Sequence, residues 1–226
     1  MAPLAPGILG ILGGTFDPIH CGHLELAREV MAAAGLAGVR LIPAGDPPHR
    51  SAPVAAATAR LAMAELAVDG HPGLAVDARE VLRAGRSYTV ATLEELRAEE
   101  VGDEPLALIV GADAFLGLPT WNRWRELWRL AHIIVVARPG TAFDGALPPE
   151  LASEWALRYR AAPGALRAAP TGAIVRIDIT PRPISASAIR AALARGDRAA
   201  VRGLLPPAVL AYIERNRLYR PGQDAT

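Results

Sequence analysis

Gly13-Gly14-Thr15-Phe16-Asp17-Pro18-Ile19-His20-Cys21-Gly22-His23 is the stretch on which the reading of this chain turns. Ahead of it runs the apolar segment Ile8-Leu9-Gly10-Ile11-Leu12. A short apolar run before a glycine pair reads as a buried strand entering a tight turn. Behind it, Leu24, Leu26, Ala27, Val30 and Met31 recur with helical spacing. The stretch therefore sits on a strand–loop–helix junction, where open main-chain N–H groups and the helix dipole favour an anion. The glycines permit positive φ and close approach of a ligand to the backbone. His20 and His23, three apart, fall on one face of the helix start and place two imidazoles beside a phosphate-sized hole.

Outward from this junction, apolar runs alternate with helical patterns. Val39–Ala44, Leu74–Val76, Leu106–Val110, Ile133–Val136 and Ile174–Ile179 read as strands. Ala55–Val68, Thr89–Glu99 (with Thr89 as N-cap), Trp121–Leu130, the stretch from Ser185 to about Arg195 and Pro206–Asn216 read as helices. Gly45-Asp46-Pro47-Pro48-His49-Arg50 is a proline-stiffened loop. Residues 141–170, rich in Ala and Pro, read as an irregular insertion with a short helix around Leu151–Arg160. Strands alternating with helices predict an α/β fold: a Rossmann-like, doubly wound parallel sheet with helices on both faces, in a single domain over residues 1–226. In such sheets ligands bind beyond the carboxyl ends of the strands, where the strand order reverses.

The totals narrow the function. The formal net charge is +1, from 24 basic and 23 acidic residues. That balance argues against a nucleic-acid partner or a polybasic membrane anchor, while leaving room for a local basic pocket. No run approaches the ~20 apolar residues of a membrane span, and no signal peptide is read at the start. Cys21 is the single cysteine. It allows no intrachain disulfide and no Cys-based zinc site, which fits a cytoplasmic protein. His71 and His132 read as structural, and Cys21 as a packing residue.

By themselves, two histidines at i and i+3 fit either a helix start with satisfied rings or an incomplete metal site. The loop carries no Walker A lysine and no GxGxxG. The whole stretch GGTFDPIHCGHL, however, resembles the signature of the HxGH nucleotidyltransferases, and most closely that of the nicotinate-nucleotide adenylyltransferase family. Ile184 to Arg190 resembles the second signature of that family, ISxTxIR, with Ser187 where many relatives carry Thr. Pro47-Pro48-His49-Arg50, Ser87-Tyr88-Thr89 and Pro119-Thr120-Trp121 resemble segments of the nicotinate branch, and Gly111 with Asp113 its GxD. The resemblance runs from Ile11 to Arg220 and is poorest over 141–170.

The resemblance implies transfer of the adenylyl group of ATP to nicotinate mononucleotide, giving deamido-NAD and pyrophosphate in NAD biosynthesis. It implies His20, His23 and Arg190 as catalytic residues. It implies Gly13, Gly14, Thr15, Phe16, Gly22, Gly111, Asp113, Ile184, Ser185 and Ser187 at ATP. His49, Arg50, Tyr88, Thr89, Trp121 and Asn122 would hold the mononucleotide, with Trp121 stacked on the pyridine ring. Mg²⁺ would arrive on the ATP phosphates, with no protein metal site. The rival readings are another HxGH adenylyl- or cytidylyltransferase, such as phosphopantetheine adenylyltransferase, and a non-catalytic nucleotide-binding regulator.

Overall fold

The computed structural model describes residues 7–47, 52–137 and 147–220. The strands are β1 (Leu9–Gly14), β2 (Gly38–Pro43), β3 (Leu74–Val76), β4 (Leu106–Gly111), β5 (His132–Ala137) and β6 (Ile174–Asp178). They form one parallel sheet in the order β3-β2-β1-β4-β5-β6. The order reverses between β1 and β4, which are hydrogen-bonded neighbours with Leu9 opposite Leu106. That reversal is the switch point at which doubly wound sheets bind ligands. All six residues of β5 are buried. Burial at every position, not alternate ones, is why these strands read as continuous apolar runs.

The helices are α1 (Cys21–Ala34), α2 (Ala57–Val68), α3 (Arg79–Leu82), α4 (Thr89–Leu96), α5 (Ala112–Leu116), α6 (Leu127–Leu130), α7 (Pro149–Arg158), α8 (Ala186–Ala194), α9 (Arg198–Val201) and α10 (Pro207–Arg215). Each longer helix buries one stripe: Leu24, Ala27, Val30 and Ala34 in α1, Val209 and Ile213 in α10. Among the described residues, no helix is long and apolar enough to cross a membrane.

Contacts divide the chain into two compact units. The first comprises Met1–Gly13, Arg28–Arg40 and Tyr88–Pro181, and the second Gly14–Ala27, Leu41–Ser87 and Arg182–Thr226.

In the first unit, the stretch read as irregular is built around specific anchors. Its residues 141–146 lie outside the described ones, but α7 falls where a short helix is expected. Leu151 and Leu166 are fully buried. Trp155 stacks on Tyr159 with ring centroids 4.4 Å apart, and Arg158 lies over the Trp128 ring. His132 is completely buried. Its Nδ1 accepts the Ala173 N–H at 3.0 Å, so Nε2 carries the proton and donates to the Ala169 carbonyl at 2.8 Å. Burial holds its pKa below the usual value, so the ring stays neutral, a structural histidine as expected. The Arg97 guanidinium donates to the carbonyls of Leu130, Gly102, Glu104 and Pro170, joining three loops.

Two local expectations are corrected. Thr89 is the first residue of α4 and not its cap; Tyr88 holds that position and no side chain caps the helix. The stretch from Trp121 to Leu130 is not one helix. A 3₁₀ turn, Leu118–Thr120, ends at an extended Trp121, and helical turns resume only at Trp124. The break comes at Arg123, which adopts the left-handed conformation with φ of 50°.

Candidate active site

The second unit gathers the first signature and the second. His20 stands just ahead of α1 and His23 in its first turn. Their rings stack with centroids 3.7 Å apart and planes 18° from parallel, and Phe16 meets His23 edge-on at 5.0 Å. The glycines make this possible. A Cβ on Gly14 would lie 2.8 Å from the Phe16 ring, and one on Gly22 would lie 3.2 Å from His20 Nδ1.

His23 Nδ1 accepts the main-chain N–H of His20 at 3.2 Å, which leaves the neutral ring's proton on Nε2. His20 is 7% exposed. Burial lowers its pKa to about 4, so it is neutral near pH 7. Its Nδ1 is buried with no hydrogen-bond partner among the described residues. Cys21, between the two, has its thiol pKa raised by burial and then by Glu25, as suits a packing residue.

The second signature approaches the same loop. Ser185 caps α8, its hydroxyl accepting the Ala188 N–H at 3.4 Å and sharing a hydrogen bond with the Ser187 hydroxyl at 2.7 Å. The cap is where the sequence reading puts it. Ile184 lies over Gly22, 3.6 Å from where its Cβ would stand. Arg190 Nη1 donates to the Asp17 carbonyl at 2.6 Å. The structure thus brings Gly14, Thr15, Phe16, His20, Gly22, His23, Ile184 and Arg190 together within one unit.

Sequence reasoning gave no role to three residues that hold this loop. Asp17 is 6% exposed and its carboxylate accepts the N–H groups of Val54 and Ala55 and the hydroxyl of Tyr219. Arg60, 1% exposed, donates to the carbonyls of Thr15, Gly45 and Ala55. A lone arginine on the apolar stripe Arg60, Met63, Ala64, Ala67 of α2 was the available signal.

The first unit carries the other predicted residues. Gly13 is the penultimate residue of β1 and Gly111 the last of its neighbour β4, and Asp113 stands exposed in the first turn of α5. Tyr88 and Thr89 open α4. Trp121 is half-buried and Asn122 exposed, whereas Trp124 and Trp128 are buried and meet edge-on at 6.2 Å. The Trp121 N–H is engaged by the Leu118 carbonyl at 2.9 Å, so a main-chain donor from this segment would be that of Asn122. Arg123 links the segment to α4: its guanidinium bonds both Glu94 carboxylate oxygens, at 2.6 and 3.1 Å, and both oxygens of Glu126. His49 and Arg50 lie outside the described residues.

Two stacked imidazoles at a helix start, behind a strand that ends in glycine, are the mark of a nucleotidyltransferase of the α/β class. The cytidylyltransferase-like family model matches residues 11–192. A curated relative from Dechloromonas aromatica, named "Probable nicotinate-nucleotide adenylyltransferase", is 50% identical over 94% of this chain and 97% of its own. One of the same name from Halorhodospira halophila is 51% identical over 89% of this chain and 90% of its own. The solved structure of Plasmodium falciparum nicotinic acid mononucleotide adenylyltransferase complexed with NaAD superposes with a TM-score of 0.69, at 14% identity, over 94% of this chain and 97% of that one. The chain belongs to the nicotinate-nucleotide adenylyltransferase family. Nucleotidyltransferases of this kind generally use a divalent metal with ATP. Among the described residues, no three His, Cys, Asp or Glu side chains are placed to hold an ion.

Replacing Trp121 tests whether it serves the ligand or the core. Trp121→Ala is expected to raise KM for the mononucleotide several-fold and leave KM for ATP nearly unchanged, because one aromatic stack contributes ~0.5–1.5 kcal/mol beyond area burial. Trp121→Phe should recover much of the loss. A large fall in melting temperature with both KM values intact would assign the ring to the core.

Proposed function

We propose that the protein transfers the adenylyl group of ATP to nicotinate mononucleotide, forming deamido-NAD and pyrophosphate as a step of NAD biosynthesis in the cytoplasm. The observation that carries this reading is half identity over almost the entire chain to relatives named for that reaction.

The nucleophile is the phosphate monoester of the mononucleotide. With a second pKa near ~6 it is largely dianionic at neutral pH, so no general base is required. One of its oxygens bonds to the α-phosphorus of ATP as the bond from that phosphorus to the bridging oxygen breaks. The electron pair remains on the departing pyrophosphate. The obstacle is electrostatic, since one anion attacks another, and donors fixed in advance are the remedy. His20 and His23 supply ring N–H groups to the phosphate oxygens, and Arg190 a permanent positive charge. The exposed first turn of α8, with Ser185 and Ser187, adds donors. Gly13, Gly14, Thr15, Phe16, Gly22 and Ile184 shape the wall against which the triphosphate lies, and Gly111 and Asp113 contact the nucleoside. Mg²⁺ enters as part of the substrate, on the ATP phosphates, and offsets their charge.

In the same reading, Trp121 stacks on the pyridine ring, and N–H groups around Tyr88, Thr89 and Asn122 receive its carboxylate. Such donors select the acid. An amide would set its own donor against them, and an unpaired buried donor costs ~1–3 kcal/mol. The test is pyrophosphate release with nicotinate mononucleotide, nicotinamide mononucleotide and phosphopantetheine. The acid is expected to show a kcat/KM at least about tenfold above the amide. Equal values, or faster turnover of phosphopantetheine, would overturn the assignment.

A further inference from the structure

Tyr219 lies 202 residues along the chain from Asp17, and its hydroxyl donates to Asp17 Oδ1 at 2.7 Å. The ring is 3% exposed, and the residue is held in the left-handed conformation with φ of 60°. A bulky residue persists there only where its surroundings over-determine it, which points to a use for the side chain. A phenylalanine would fill the same space without the cost of dehydrating a hydroxyl. The hydroxyl is satisfied by a carboxylate that already takes the Val54 N–H at 2.7 Å and the Ala55 N–H at 3.1 Å. Burial and that carboxylate raise the phenol's pKa well above its usual value, so it remains a donor throughout the neutral range.

The same Asp17 serves the reaction site from its main chain. Its carbonyl accepts Arg190 Nη1 at 2.6 Å, and that nitrogen stands 3.9 Å from Oδ2. Carboxylate and carbonyl hang from one α-carbon, so three hydrogen bonds that anchor the first restrain the residue that carries the second. Three residues further along the chain is His20.

We propose that Tyr219 is a positioning residue for adenylyl transfer: by fixing the Asp17 carboxylate it orients the Asp17 carbonyl, which holds the Arg190 guanidinium. This role rests on the function proposed above. Its signature is coupling. If the hydroxyl acts through Arg190, removing it matters only while the guanidinium is present.

The experiment measures kcat, both KM values and thermal unfolding for the wild type, Tyr219→Phe, Arg190→Lys and the double variant. In the single variant kcat should fall about tenfold, the scale of a small misplacement of a charge-stabilising group, with KM for the mononucleotide unchanged. In the Arg190→Lys background the same hydroxyl loss should change kcat less than about twofold. An unchanged kcat in Tyr219→Phe, or the same loss in both backgrounds, would overturn the proposal. Asp17→Asn carries the same test should the phenylalanine variant not fold: coupling with Arg190→Lys supports the relay and additive losses overturn it. Absence of nicotinate mononucleotide turnover by the wild type would instead overturn the proposed function. Wild-type turnover with either adverse result above removes only the role of Tyr219.

Discussion

His20→Ala is expected to lower kcat by roughly 10²–10³, the usual consequence of losing one preorganised donor to a developing charge. The ring is stacked on His23, seated over Gly22, and 7% exposed. It is thus fixed before the substrate arrives and need not reorganise during the reaction. Its pKa of about 4 makes it a neutral N–H donor in the free enzyme. A lowered pKa means the uncharged form dominates at every pH well above 4, so neutral pH finds the group already in its working state. The kcat/KM for ATP, which reports the free enzyme, should therefore stay level from about pH 6.5 to 8. A steady fall across that range would show that an imidazolium is required. ATP affinity and melting temperature should change little in the variant. Near-normal kcat with weaker ATP binding would assign His20 to ground-state binding instead.

Arg60→Ala is expected to destabilise the protein by about 3–5 kcal/mol, the range for removing one partner of a buried charged network. The side chain is 1% exposed. Its three nitrogens reach Ala55 O at 3.1 Å, Thr15 O at 2.7 Å and Gly45 O at 3.0 Å. Burial lowers its pKa and the Asp17 carboxylate opposes that shift, while a guanidinium remains protonated in either case. Alanine would leave three carbonyls short of a donor and remove one of the positive charges that act on the buried Asp17 carboxylate. Arg60→Lys should recover only a small part, because one ammonium cannot reproduce a planar fork aimed at three separate carbonyls. Thermal unfolding decides it: at about 2–4 °C per kcal/mol for a chain of this size, the melting temperature should drop by at least 6 °C. A change within 2 °C would show that the loop is held by other contacts. Because Arg60 braces Thr15, two residues before Asp17, activity should fall with stability.

The sequence by itself determined the features whose cause is local or periodic. Strands β4 and β5 are legible as unbroken apolar runs because every residue in them but Gly111 is buried. The junction at 13–23 is legible because glycines, two histidines and a following helical stripe are adjacent in the chain. The cap at Ser185 is legible because its partner is three residues away. Tertiary structure alone decided the rest. Trp121 lies outside a helix because Arg123 turns left-handed, where Glu94, 29 residues away, takes its guanidinium. Residues 147–170 look irregular by composition, yet Leu151, Leu166 and the ring of His132 hold them. Asp17 draws its donors from residues 54, 55 and 219, and Arg60 its acceptors from 15, 45 and 55. Hydrogen bonds between residues so far apart leave no periodicity to read. Only folding brings buried donors and acceptors close enough for each to satisfy the other.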